Sequence, residues 1–244
     1  MSLSQDKIQR EDTTQSAPGS TLEVDFRWKK FKALVSEKDL QSNTSTPKYI
    51  IDYNSFKSPH LVFHPYEDKS VTIGSGTLHP VTIHADYELH GQKGTIKALK
   101  RFITSYTHLS YNYSDSPDGT PTAMTWTSAS SFKTWDFICL DEQQTPVAKF
   151  SANTWALTKI GNIEFLGPKA HDPVCREEIL ITGMTLCYQM ILRATNFFNL
   201  VGAVFSKPGP LDKEVAPKIP RSGRDKDLDV QQEVTAADAQ QLKN

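Results

Sequence analysis

The sequence predicts a mainly β fold, a closed antiparallel β-barrel with a buried hydrophobic C-terminal helix. Three observations carry that expectation. From Tyr49 to Phe165, short segments rich in Ile, Val, Thr, Tyr, Phe and Trp are punctuated by Gly, Pro, Asn and Asp at intervals of roughly ten residues, the mark of an all-β chain. At Asp172-Pro173 the pattern breaks, with an N-cap residue followed by a proline suited to a first helical turn. Finally, ILITGMTLCYQMIL, Ile179 to Leu192, runs for 14 residues without a charge.

Taken in order, residues 1–46 are polar and balanced in charge apart from FRWKKFK at Phe26–Lys32, and they read as a disordered arm. Strands are expected at Tyr49–Tyr53, Leu61–Tyr66, Val71–Thr77, Val81–Leu89, Thr95–Leu99, Thr104–Tyr113, Ala123–Trp126, Phe132–Leu140, Val147–Ser151 and Ala156–Phe165. Turn chemistry separates them at Gly91 with Gly94, at Asp118-Gly119 and from Asp141 to Pro146.

The helix follows, with Glu177 and Glu178 near the positive end of its dipole. Its apolar side chains go all the way round, so it is expected to be buried on every side. An uncharged run of this length falls short of the roughly 20 residues needed to span hydrocarbon, and extending the window would place Arg193 near the bilayer centre. The predicted domain is residues 47–206. Residues 207–244, proline-rich at first and poor in apolar side chains, read as a disordered tail.

A formal charge of −1 and a pI near 6.7 lack the long-range field of nucleic-acid binders. Any anion site must therefore be local. Charged residues at the start of the chain occupy the place where a signal peptide needs an apolar run, which predicts a cytoplasmic protein, peripheral at a membrane at most. Cys139, Cys175 and Cys187 form an odd, widely spaced set that suits buried thiols in a reducing compartment.

No catalytic signature is present: there is no G-x-S-x-G elbow, P-loop or H-E-x-x-H, and Gly74-Ser75-Gly76 lacks the third glycine of a dinucleotide fingerprint. His60, His64, His79, His84, His90 and His108 fall in the strand region without acidic or thiol partners at a fixed offset, so no metal and no cofactor are expected. Trp28, Trp126, Trp135 and Trp155 suit a barrel core better than a stacking platform. What remains is basic: Lys29, Lys30 and Lys32 interleaved with Trp28 and Phe31, and Lys97, Lys100 and Arg101 in GTIKALKRF. The second cluster is the candidate site for an anionic headgroup. A straight strand would put Lys97 and Arg101 on one face and Lys100 on the other; an end near Leu99 would let a turn gather all three.

Three stretches carry a family resemblance: PKYIIDYNSFKSPHLVF, WDFICLDEQQTPVAKFSANTWALTKIGNIEFLGP and CREEILITGMTLCYQMI. Over roughly Tyr49 to Ala194 the chain resembles the tubby C-terminal-like fold, above all small fungal tubby-like proteins, and more distantly LURP-one-related proteins and phospholipid scramblases. The resemblance implies a barrel with the helix along its axis and no enzymatic activity. Tubby proteins bind phosphoinositides through basic residues on the barrel wall, but those residues do not match positions of this sequence one by one, so that activity is not carried over. The apolar extension Phe197 to Phe205 departs from the pattern, where charge is expected after the helix. The function expected is thus a non-catalytic binding module for an anionic phospholipid, a phosphoinositide among them, or for a protein partner. The rivals are a scramblase-like lipid-handling protein with residues 179–205 in the bilayer, and a hydrolase using one of the histidines.

Overall fold

A computed structural model describes residues 21–39, 42, 44–79, 82–100, 104–128, 136–152 and 159–195. Twelve strands form one closed antiparallel barrel in which each pairs with the next and the last returns to the first. They are β1 Thr21–Arg27, β2 Lys32–Lys38, β3 Ser45–Tyr53, β4 Leu61–Pro65, β5 Gly74–Leu78, β6 Ala85–Leu89, β7 Gln92–Ala98, β8 Ser105–Ser110, β9 Thr122–Thr127, β10 Asp136–Leu140, β11 Pro146–Ala152 and β12 Lys159–Phe165. Helix α1 is Pro173–Thr195. All ten expected strands are present, each within a few residues of its expected position.

The expected disordered arm is corrected in part. Within residues 1–46, β1 and β2 form a hairpin joined by a 3-10 turn at Trp28–Lys30, and β3 begins at Ser45. Leu22 and Val24 on β1, and Ala33 and Val35 on β2, occupy every second position and are buried to 1% exposure or less. The hairpin fills the gap between β12 and β3, pairing Leu22 with Ile163 and Leu34 with Ile50. Without it two strand edges would present unpaired amides. Strands of the barrel are therefore already present from residue 21, ahead of the expected domain start at 47. Residues 1–20 and the expected tail, 207–244, lie outside the described residues.

Helix α1 starts as the sequence indicates: Asp172 Oδ1 accepts the Cys175 amide at 2.8 Å, and Pro173 occupies the first position, where no amide donor is needed. Every residue from Glu178 to Cys187 is buried. Leu180, Ile181 and Leu186 are wholly enclosed, each contributing about 1.5–3 kcal/mol of hydrophobic burial. Burial on every side stops short of the predicted end, however. Ile191 is 39% exposed, while Met190 and Leu192 on either side of it still pack against the core, so one side of the helix there faces solvent. Among the described residues, no helix is long and apolar enough to cross a membrane.

The wall admits the helix because β5 is thin. A side chain at Gly74 would collide with Ile181 and with the Glu88 carbonyl, and one at Gly76 would collide with Thr185. Gly74-Ser75-Gly76 is thus a strand against which the helix lies, not part of a phosphate loop. On another side of α1, a methyl on Gly183 would meet the Trp126 ring at 3.1 Å, while Trp126 Nε1 donates to Thr182 Oγ1 at 3.3 Å.

Burial of phenols makes this fold alkali-sensitive. Burial, and then the charge of Glu177, pushes Tyr49 up to about 12; burial likewise raises Tyr53, Tyr87 and Tyr113. In the unfolded chain these groups lose protons near about pH 10. The stabilisation is complete below that pH and is lost as pH rises through the folded values, because the unfolded chain then releases protons that the folded one retains. The urea midpoint is expected to fall steadily between about pH 10 and 12 in step with tyrosinate absorbance; a flat midpoint across that window would contradict the buried phenols.

Candidate functional site

The residues marked by the sequence as possible chemistry are mostly spent on structure. His60 Nδ1 accepts the Leu78 amide and His84 Nδ1 the Ala98 amide, both at 3.1 Å. His64 Nδ1 lies 2.8 Å from the Val71 carbonyl, and His79 Nε2 2.7 Å from Asp86. His60 and His64 thus each bond a different backbone group. Among the described residues, no group of three or more His, Cys, Asp or Glu is placed to hold a metal ion. The three cysteines are buried and free, and burial pushes the Cys187 thiol up to about 12. Trp126 is fully buried; Trp135, Trp155 and the side chain of Trp28 lie outside the described residues.

One polar cluster inside the barrel was not anticipated. Glu178, 1% exposed, receives hydrogen bonds from His108 Nε2 at 3.1 Å, Ser110 Oγ at 2.9 Å and Asn112 Nδ2 at 2.7 Å. The Tyr113 amide donates in turn to Ser110 Oγ at 3.0 Å. Serine, histidine and glutamate together invite comparison with a hydrolase triad, but the connectivity differs. A triad runs from hydroxyl to imidazole to carboxylate, so that the ring can take the hydroxyl proton. Here both Ser110 and His108 point at the carboxylate, and His108 Nδ1 is buried without a partner. The adjoining pocket, lined by Tyr87, Leu89, Lys93, Tyr111, Asn112 and Glu178 among others, has a volume of about 20 Å³, room for about one water molecule. This cluster fastens α1 to β8 and leaves no space for an organic substrate.

The surface offers a larger asymmetry. In an antiparallel meander successive connections emerge at alternate ends of the barrel. At the end where α1 enters, they contain Asp39, Glu67, Asp68, Asp115, Asp118, Asp141, Glu142 and Asp172 against Lys69 and Lys169. The opposite end carries the connections β1–β2, β3–β4, β5–β6, β7–β8, β9–β10 and β11–β12. Their described residues include exposed Lys29, Lys30, Lys57 and Lys100 and no carboxylate. The carboxylates nearest this end, Asp25, Asp52, Asp86 and Asp136, lie on strands, where Asp52 pairs with Lys32 at 2.9 Å and Asp86 with His79 at 2.7 Å.

Helix α1 runs from the acidic end to the basic one. Near its start Arg176 pairs with Glu37 at 2.7 Å, and Glu177 with His90 at 2.7 Å. Near its exit Gln189 Nε2 donates to the His84 carbonyl at 3.3 Å, and Thr104 Oγ1 to Met190 Sδ at 3.5 Å.

Of the three site residues read from the sequence, Lys97 projects half-exposed from the outer wall between buried Ile96 and Ala98. Strand β7 ends at Ala98, so Lys100 is an exposed residue of the connection rather than an inward-facing strand residue. Arg101 lies outside the described residues. Sequence reading found Lys29, Lys30 and Lys100 as separate clusters and missed Lys57. The signal that joins them is the alternation of connections once the strands are numbered correctly. No family model, curated protein or solved structure matches the chain.

Proposed function

We propose that this protein is a non-catalytic module of tubby-like type that docks by its basic end onto an anionic phospholipid surface. The observation that carries this reading is the sorting of charge between the two ends of the barrel, in a chain whose net charge is only −1. A filled interior supports a binding surface over an internal ligand site, since α1 and the aromatic core occupy the space that a lipid chain or substrate would need.

Each basic residue near an anionic membrane contributes about 1 kcal/mol. Lys29, Lys30, Lys57 and Lys100 together give attraction of about 4 kcal/mol, or millimolar binding from charge alone. Screening shortens its reach from about 10 Å at 0.1 M salt to about 3 Å at 1 M.

The full chain is expected to sediment with phosphatidylserine- or phosphoinositide-containing vesicles at low salt, to be released by high salt, and to ignore phosphatidylcholine alone. Lys29→Glu, Lys30→Glu and Lys57→Glu combined are expected to abolish this association without lowering the melting temperature, because all three side chains are exposed. Lys97→Glu with Arg101→Glu tests separately whether the β7 cluster shares in the contact. Vesicle binding unchanged by the triple variant would remove the basic end as the site. Absence of binding by the parent chain at low salt would remove the lipid and leave a protein partner.

A further inference from the structure

Two large apolar side chains stand exposed on adjacent connections of the basic end. Phe56 is 100% exposed and Phe31 is 55% exposed. The connections are joined where the Tyr53 amide donates to the Phe31 carbonyl at 3.0 Å. Exposed Lys29 and Lys30 precede Phe31 directly, and exposed Lys57 follows Phe56.

Phe31 also has a φ of 47°, in the left-handed region that bulky residues rarely occupy and where functional sites tend to concentrate strained residues. Glycine or asparagine would hold that turn with less strain. The phenylalanine is not there to be buried in the core. Behind it runs a ladder of edge contacts, Phe31 to Phe26 at 6.5 Å, Phe26 to Tyr53 at 5.1 Å and Tyr53 to Tyr188 of α1 at 5.1 Å. This ladder gives the exposed ring a packed aromatic backing that reaches into the core.

Resting on the docking function proposed above, we infer that Phe31 and Phe56 enter the interfacial layer of an anionic bilayer while Lys29, Lys30 and Lys57 engage its phosphates. Aromatic rings flanked by lysines match that layer, where apolar surface is buried just below a plane of negative charge. Charge alone would hold the barrel loosely and without a fixed tilt; two inserted rings on one side of the rim bind it more tightly and set its orientation. A soluble headgroup would leave both rings in water, so the occupant is the bilayer and not free inositol phosphate.

The test labels the full chain with an environment-sensitive fluorophore at Phe56→Cys. Selective labelling is feasible because Cys139, Cys175 and Cys187 are buried, and burial raises all three thiols. With phosphatidylserine vesicles at low salt, emission is expected to shift to the blue and to be protected from an aqueous quencher. Phe56→Ser should weaken vesicle binding about tenfold or more at unchanged melting temperature. Phe31→Asn should weaken it as well while keeping the left-handed turn.

If the parent chain binds vesicles but the fluorophore stays in water and Phe56→Ser binds normally, insertion is overturned and electrostatic docking stands. If the parent chain does not bind at low salt, both fail. Preference for a single-stranded oligonucleotide, with the fluorophore stacked on bases, would overturn the bilayer as occupant.

Discussion

Glu178→Ala is expected to cost about 3–5 kcal/mol, the usual penalty for removing one member of a buried polar group whose partners remain. His108, Ser110 and Asn112 all donate to this carboxylate, and each donor left buried and unpaired costs about 1–3 kcal/mol. A domain of this kind has about 5–15 kcal/mol in total, so the variant sits at the edge of folding at room temperature. Glu178→Gln keeps the shape but replaces one acceptor oxygen with an amide that faces donors, and it should fall between parent and alanine variant. Urea denaturation followed by far-ultraviolet circular dichroism gives the comparison. An alanine variant within about 1 kcal/mol of the parent would show that the cluster is reached by water and does not fasten the helix.

Leu186→Asp is expected to prevent folding altogether. Leu186 is fully buried on α1, and among the described residues its helix neighbours Thr182, Thr185 and Gln189 carry no charge that could pair with a carboxylate. An isolated charge in such a place costs several kcal/mol even after it takes up a proton, more than most single substitutions. Met184→Asp, at 1% exposure, should behave alike. Ile191→Asp is the internal control, since Ile191 faces solvent at 39% exposure; it should express and melt near the parent. A soluble, cooperatively melting Leu186→Asp protein would place the helix outside the core.

The helix was legible because its signals are local: an N-cap at Asp172, a proline in the next position and an uncharged run with no polar face. The ten strands were legible for the same reason, through alternation and turn residues. Burial on every side fails at Ile191 because a run of apolar residues does not show which side the surrounding wall leaves open. Strands β1 and β2 escaped because Glu23, Asp25, Lys32 and Glu37 dilute the composition of a segment whose period is nonetheless two. The alternation of Leu22, Val24 and Phe26 was the available signal. What makes it a strand is the pair of open edges on β12 and β3, two elements far apart in the chain.

The candidate site divides along the same line. Lys29, Lys30, Lys97, Lys100 and Arg101 can be found by reading basic clusters, and the absence of familiar catalytic motifs can be read the same way. That Lys57 and Phe56 belong with them, and that the balancing carboxylates gather at the far end, depends on which connections share an end. The sequence by itself determined the helix and ten of the twelve strands, since periodicity, capping and turn chemistry act over a few residues. Only the tertiary structure decided the sorting of charge, because barrel closure brings alternate connections together across distances in the chain that no local pattern spans.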